Sequence, residues 1–265
     1  MSTSRLPSII YGTAWKKERT TSLVVTAVLQ GFRAIDTGEV EDLVGEGLQE
    51  LYDKHGIKRE DLYIQTKFTP ISGQDTSQPI PYDPKASIED QLVSSLDLSL
   101  KNLRTDYIDA YLLHSPLPGP VSNTLKAWKV LARFQDEKKV RLIGVCNTLS
   151  EERKVQVVQN RWYEGNNWDK EVVGWCKKNG AMYQSFWTLS GSTSLLSHKP
   201  LITIAKVNKI TPEQTLFKFA RTTGVVPLTG TTSAEHMKHD LEVEGIEFKP
   251  NKAEEEVADV TALVA

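Results

Sequence analysis

Leu103-Arg104-Thr105-Asp106-Tyr107-Ile108-Asp109-Ala110-Tyr111-Leu112-Leu113-His114-Ser115-Pro116 runs from polar residues through a β-branched and aromatic stretch to one imidazole and then a proline. The run reads as a β-strand that delivers His114 to its C-terminal end, because proline donates nothing to a sheet ladder and fixes where the strand stops. In parallel α/β proteins that end carries the chemistry. Taken alone, His114 reads equally well as a hydrogen-bonded core residue.

The flanking sequence repeats the pattern. Residues 9–13, 32–36 and 62–67 read as three earlier strands, and 140–146, 155–159, 181–186 and 225–228 as four later ones. Helical spacing of apolar residues fills most intervals: 22–29, 41–52, a helix capped by Ser87, 121–137, 170–178, and one opened by Thr211-Pro212. Gly45 and Gly47 weaken the 41–52 helix in isolation and point to close packing rather than to a phosphate loop. The 70–84 stretch is a polar loop, and the acidic, alanine-rich tail after Pro250 reads as a surface helix. Eight strands with helical connections and no linker-like break in composition predict one (β/α)8 barrel, an α/β TIM-barrel domain over 1–265. Only about eight residues join the fifth and sixth strands, short of the dozen or so that a helical crossover takes.

Composition sets the outer bounds. With 39% hydrophobic residues, 25% charged residues and a net charge of -2, the 265-residue chain reads as globular and offers no field for nucleic acid or an anionic membrane. Cys146 and Cys176 belong to no metal-binding or disulfide spacing, so reduced thiols and no metal are expected. The first residues lack an apolar leader pattern and no window has the length of apolar sequence that spans a bilayer, which predicts a cytoplasmic protein.

In a barrel, Asp36, Lys67 and His114 end the second, third and fourth strands and stand side by side on one rim. A carboxylate beside a lysine holds the ammonium in place, and a neutral imidazole donates a hydrogen bond to an oxygen on which negative charge develops. Such a group suits hydride transfer to an aldehyde or ketone; the same spacing also suits a structural ion pair.

Gly31-Phe32-Arg33-Ala34-Ile35-Asp36-Thr37, Gln65-Thr66-Lys67, Asp106-Tyr107-Ile108-Asp109 with His114-Ser115-Pro116, Gly144-Val145-Cys146-Asn147, Val158-Gln159-Asn160-Arg161 and Gln184-Ser185-Phe186-Trp187 follow one another in an order that resembles the aldo-keto reductase superfamily, its fungal and other microbial members in particular. The resemblance implies a barrel that reduces a small-molecule carbonyl with NADPH more readily than NADH, as a monomer. It implies catalytic roles for Asp36, Lys67 and His114. Asn147 and Gln159 are implied to hold the nicotinamide carboxamide together with Asp36, and Phe186 to stack on the ring. Trp15 resembles the substrate-pocket aromatic, beside His114, and reads equally well as an ordinary packed tryptophan. Leu228, Thr229, Thr231, His236 and Asp240 fall where relatives bind the adenosine phosphate and adenine, although Leu228 and His236 replace the cationic side chains expected there.

Two further departures matter. No tyrosine follows Asp36 through Thr37-Gly38-Glu39-Val40-Glu41-Asp42-Leu43-Val44-Gly45, where the family's proton donor belongs. Glu39, Glu41, His114, Tyr11 and Tyr63 are the candidate substitutes. The 147–154 link leaves no room for a full helix, so the expected barrel has a shortened connection and less rigid neighbours at Asn147 and Gln159. Besides a reductase, these departures admit a barrel that binds without turnover and a non-redox isomerase or dehydratase that reuses Lys67 and His114.

Overall fold

The computed structural model describes residues 7–146, 155–249 and 253–265. Eight parallel strands close in sequence order: β1 (Ile10–Gly12), β2 (Ala34–Asp36), β3 (Tyr63–Phe68), β4 (Ile108–Leu113), β5 (Val140–Cys146), β6 (Val157–Arg161), β7 (Met182–Phe186) and β8 (Val225–Thr229), with β8 pairing back onto β1. The helices are α1 (Thr20–Gln30), α2 (Glu41–His55), α3 (Ile88–Asn102), α4 (Val121–Asp136), α5 (Lys170–Asn179), α6 (Thr193–Leu196), α7 (Lys199–Asn208), α8 (Pro212–Thr222), α9 (Ala234–Glu242) and α10 (Glu254–Val264). The (β/α)8 TIM barrel expected from the strand pattern is the fold.

The helix starts follow from their capping chemistry. Ser87 Oγ accepts from Asp90 N at 3.1 Å, and Thr211 Oγ1 accepts from Gln214 N at 3.1 Å with Pro212 in the first helical turn. Ring closure gives each strand one side chain inward and the next outward. Ile10, Ala34, Ala110, Leu112, Cys146 and Val157 point in and form a small interior cluster, while Ile35, Ile64, Tyr111, Ile143, Val145 and Val158 point out and join the large cluster under the helices. The outer apolar side chains of β5 and β6 are therefore covered; the 147–154 connection between these strands lies outside the described residues.

Two glycines set α2. A Cβ on Gly45 would lie 1.9 Å from the Asn102 carbonyl oxygen, and one on Gly47 would lie 3.1 Å from the Thr21 carbonyl oxygen, so both are packing glycines. At the N-terminal end of the barrel, the buried Asp109 carboxylate accepts from Arg59 at 2.8 Å, from Arg141 at 2.9 Å and from Ile64 N at 2.9 Å. Both guanidinium carbons lie close to the Tyr107 ring, 4.0 and 4.1 Å from its centroid. Among the described residues no helix is long and apolar enough to cross a membrane. Both cysteines are free and buried.

Candidate active site

The inward alternation continues to the C-terminal rim, where it sorts the chemistry. Asp36 ends β2, Lys67 is the penultimate residue of β3, and His114 follows the last residue of β4, its backbone N–H donating to Phe68 O at 2.9 Å. Lys67 Nζ is 2.6 Å from Asp36 Oδ1, with side chains only 11% and 10% exposed. A second Nζ contact reaches the Thr37 carbonyl at 3.4 Å. The ion pair thus faces the barrel mouth from inside the wall, and a partly buried ion pair of this kind is strongly oriented.

His114 is held from the loop after β3. Its Nδ1 is 2.9 Å from Thr69 Oγ1, and Thr69 is itself fixed by its carbonyl, which accepts from Tyr82 OH at 2.8 Å and Gln74 Nε2 at 2.9 Å. With the threonine hydroxyl donating, the imidazole proton sits on Nε2. Burial pushes the imidazole pKa below its ordinary value, the Lys67 ammonium pushes it further, and the Asp36 and Glu39 carboxylates oppose both. A neutral imidazole at pH 7 follows, next to a buried ion pair. The three predicted catalytic side chains share one rim.

Gln159 and Phe186 lie on the same inward face, at positions three and five of β6 and β7. Gln159 is buried and donates to Asp36 Oδ1 at 3.3 Å. The Arg161 guanidinium lies over the rings of Phe186 and Trp187, 5.3 and 5.1 Å from their centroids. Trp15 is 84% exposed, so the reading of it as an ordinary packed tryptophan is corrected; a left-handed φ of 64° turns it out of the wall. Asn147 lies outside the described residues.

The sequence model of the Aldo/keto reductase family matches residues 8–175 of this chain. The chain belongs to the aldo/keto reductase family. It is 29% identical over 230 residues to the methylglyoxal reductase DkgB of Salmonella typhi, covering 82% of this chain and 79% of that one. It is 26% identical over 271 residues to the D-galacturonate reductase of Hypocrea jecorina, covering 90% of this chain and 82% of the other. In fold it is similar to a Bombyx mori aldo-keto reductase solved in complex with NADP, with a TM-score of 0.78 at 22% identity, covering 97% and 89% of the two chains. An aldo/keto reductase of Brucella melitensis gives a TM-score of 0.79 at 21% identity, with coverage of 97% and 95%.

Strand parity sorts Leu228 and Thr229, two of the remaining predicted residues of this aldo/keto reductase family member. Leu228 points into the barrel and, half-buried, packs on the interior cluster. Thr229 points out and donates to Asp240 Oδ2 at 2.7 Å; Asp240 is 5% exposed, and burial pushes its carboxyl up to about 6. These two polar groups face each other. Thr231 Oγ1 accepts from Ser233 N at 3.2 Å and Ser233 caps α9 by accepting from His236 N at 3.3 Å, which leaves the His236 ring exposed.

A cation that the sequence reading overlooked stands beside that loop. Lys16 Nζ donates to the Gly230 carbonyl, and its pKa is lowered by burial first and by Arg19 second. It was overlooked because Lys16-Lys17-Glu18-Arg19 reads as a solvated charge run.

Three candidate proton donors are directed elsewhere. Glu41 accepts from Thr66 Oγ1 on the helix side of β3, opposite Lys67, and burial raises its pKa while Thr66 and Ser99 oppose the rise. Tyr11 OH donates to Thr231 O at 3.1 Å, and Tyr63 OH donates to Gln65 Oε1 at 3.0 Å deep in the barrel. Glu39 is exposed at the mouth, where Oε2 accepts from Trp15 N at 3.3 Å.

Proposed function

We propose that this chain is a single-domain, monomeric reductase that uses NADPH to convert a small aldehyde or ketone to its alcohol in the cytoplasm. The observation that carries the reading is the 2.6 Å Asp36–Lys67 pair on the same rim as a neutral His114, with Gln159 and Phe186 on the same inward face. Membership in the aldo/keto reductase family and similarity to a methylglyoxal reductase support it.

The residues present suit a nicotinamide dinucleotide. Phe186 offers a half-buried aromatic face, Gln159 an amide, and Lys16 with the amides at the start of α9 a cationic, N–H-lined cradle for phosphate. When bound, the reduced cofactor supplies a hydride to the carbonyl carbon. His114 Nε2–H donates to the carbonyl oxygen as charge builds on it. Lys67 then gives that oxygen its proton from Nζ and is left as an amine, which recovers a proton from water. The Nζ ammonium carries an acidic proton at the rim, so Lys67 takes the place of the absent tyrosine. Asp36 holds Nζ in place throughout.

Loss of NADPH absorbance with methylglyoxal and a panel of small aldehydes tests the reading. Turnover that disappears in Lys67→Met supports it; absence of turnover together with absence of NADPH binding, read by protein fluorescence, defeats it. The tyrosine-free interval from Thr37 to Gly45 favours a second reading, a barrel that binds the dinucleotide without turnover. Binding with no turnover on any aldehyde selects that one.

A further inference from the structure

Three glutamines cross the barrel interior beneath the rim, and no role has yet been given to two of them. Gln65 and Gln184 are fully buried. Gln65 Nε2 donates to Asp36 Oδ1 at 2.7 Å and to Gln184 Oε1 at 2.8 Å. Gln184 Nε2 returns a hydrogen bond to Gln65 Oε1 at 2.9 Å and approaches Tyr63 OH at 3.4 Å. Gln184 Oε1 also accepts from Gln159 Nε2 at 3.0 Å.

The direction of this chain is not arbitrary. Asp36 accepts and cannot donate, so the Gln65 amide must turn its nitrogen toward Asp36. The reciprocal pair then fixes Gln184 with its oxygen beside Gln65 Nε2, and that oxygen in turn draws the nitrogen of Gln159 inward. Gln159 Nε2 has both protons engaged, on Asp36 and on Gln184, while its Oε1 is met among the described residues only by the Cys146 thiol at 3.8 Å, a weak donor. A buried amide with one fixed orientation presents one kind of partner to a ligand.

We propose that Gln65 and Gln184 are positioning residues: they lock Gln159 with its carbonyl oxygen available, so that the site selects a ligand group carrying an N–H donor. On the reductase reading that group is the carboxamide NH2 of the nicotinamide. Without Gln184 the Gln159 nitrogen keeps only its longer bond to Asp36, 3.3 Å, so the amide orientation is less firmly fixed and the preference for an N–H donor weakens.

The test compares NADPH with its reduced 3-acetylpyridine analogue, in which a methyl replaces the amide NH2. Dissociation constants are read by protein fluorescence for the natural protein, Gln65→Leu and Gln184→Leu, with circular dichroism to verify the barrel and Gln184→Met as the alternative where leucine prevents folding. The natural protein is expected to favour NADPH about tenfold, the value of one buried hydrogen bond, and the variants to reduce that ratio severalfold. An unchanged ratio in the folded variants overturns the proposal.

Hydrogen exchange of the Gln159 side-chain amide, followed by 15N NMR without ligand, separates the two claims. If the natural protein binds neither dinucleotide, the reductase reading fails. The positioning role of Gln184 still stands if Gln159 exchanges about tenfold faster in Gln184→Leu, and falls if exchange is unchanged.

Discussion

Thr66 and Lys67 are adjacent on β3 and face opposite ways: the Thr66 hydroxyl donates outward to Glu41, while Lys67 Nζ reaches inward to Asp36 at 2.6 Å. Strand parity thereby separates two carboxylates five positions apart in sequence, one behind the wall and one at the mouth. If Lys67 is the proton source, Lys67→Met and Lys67→Arg both lower kcat at least about 100-fold, because a guanidinium holds its proton too tightly to release it. Steady-state rates at saturating NADPH check this, and an arginine variant with near-normal kcat would remove Lys67 from the role.

The Lys67 ammonium lowers the pKa of His114, second to burial, and Asp36 and Glu39 raise it. In Lys67→Met the cation is gone while the Asp36 carboxylate stays, so the charge balance shifts toward the imidazolium. The His114 titration midpoint, followed by NMR of the ring protons, moves upward in that variant. In the natural protein it lies below the ordinary imidazole value of 6.5.

Asp240 carries a penalty that depends on pH. Its folded pKa of about 6 exceeds the ordinary 3.8, so the protonated acid is favoured in the fold and its stabilisation is lost as pH rises through about 6. Asp240→Asn keeps a neutral partner for Thr229. Thermal unfolding at pH 8 is expected to show the variant more stable by roughly 1–3 kcal/mol, with the advantage fading below pH 4.

At the other end of the barrel, Asp109 neutralises Arg59 and Arg141 from a buried position. Asp109→Ala leaves Arg59 without its carboxylate and is expected to cost about 3–5 kcal/mol in urea unfolding. NADPH affinity should be unchanged under native conditions, because the clasp sits at the strand ends remote from Lys67.

Much of this architecture was legible because short-range chemistry and long-range packing agree. Ser87 and Thr211-Pro212 start helices where their caps require, and the run ending at Pro116 is a strand with His114 just past its last residue. β6 begins at Val157 rather than at 155, since Val155 is buried without joining the ladder, a distinction that hydrophobicity does not carry. Helices α6 and α7 carry no start signal that the sequence reading uses. Leu228 closes the strand expected over 225–228, and period-two alternation along β8 turns it inward, half-buried against the interior cluster. Gln65 and Gln184 look in sequence like polar interruptions of apolar strands; their purpose appears only when closure of the sheet brings β3 and β7 across from each other.

Gly45 seated on the Asn102 carbonyl and Gly47 against Thr21 index α2 from within the helix, independently of the chain that leads into it. Thr37 and Gly38 are pinned to Gln65 O and Thr13 Oγ1, whereas Glu39 is exposed, so extra residues inserted after Glu39 would bulge over the mouth while the helix kept its rotational setting. The scaffold is in this sense indifferent to how its rim is furnished, and a longer tyrosine-bearing segment could be transplanted without rebuilding the layer beneath.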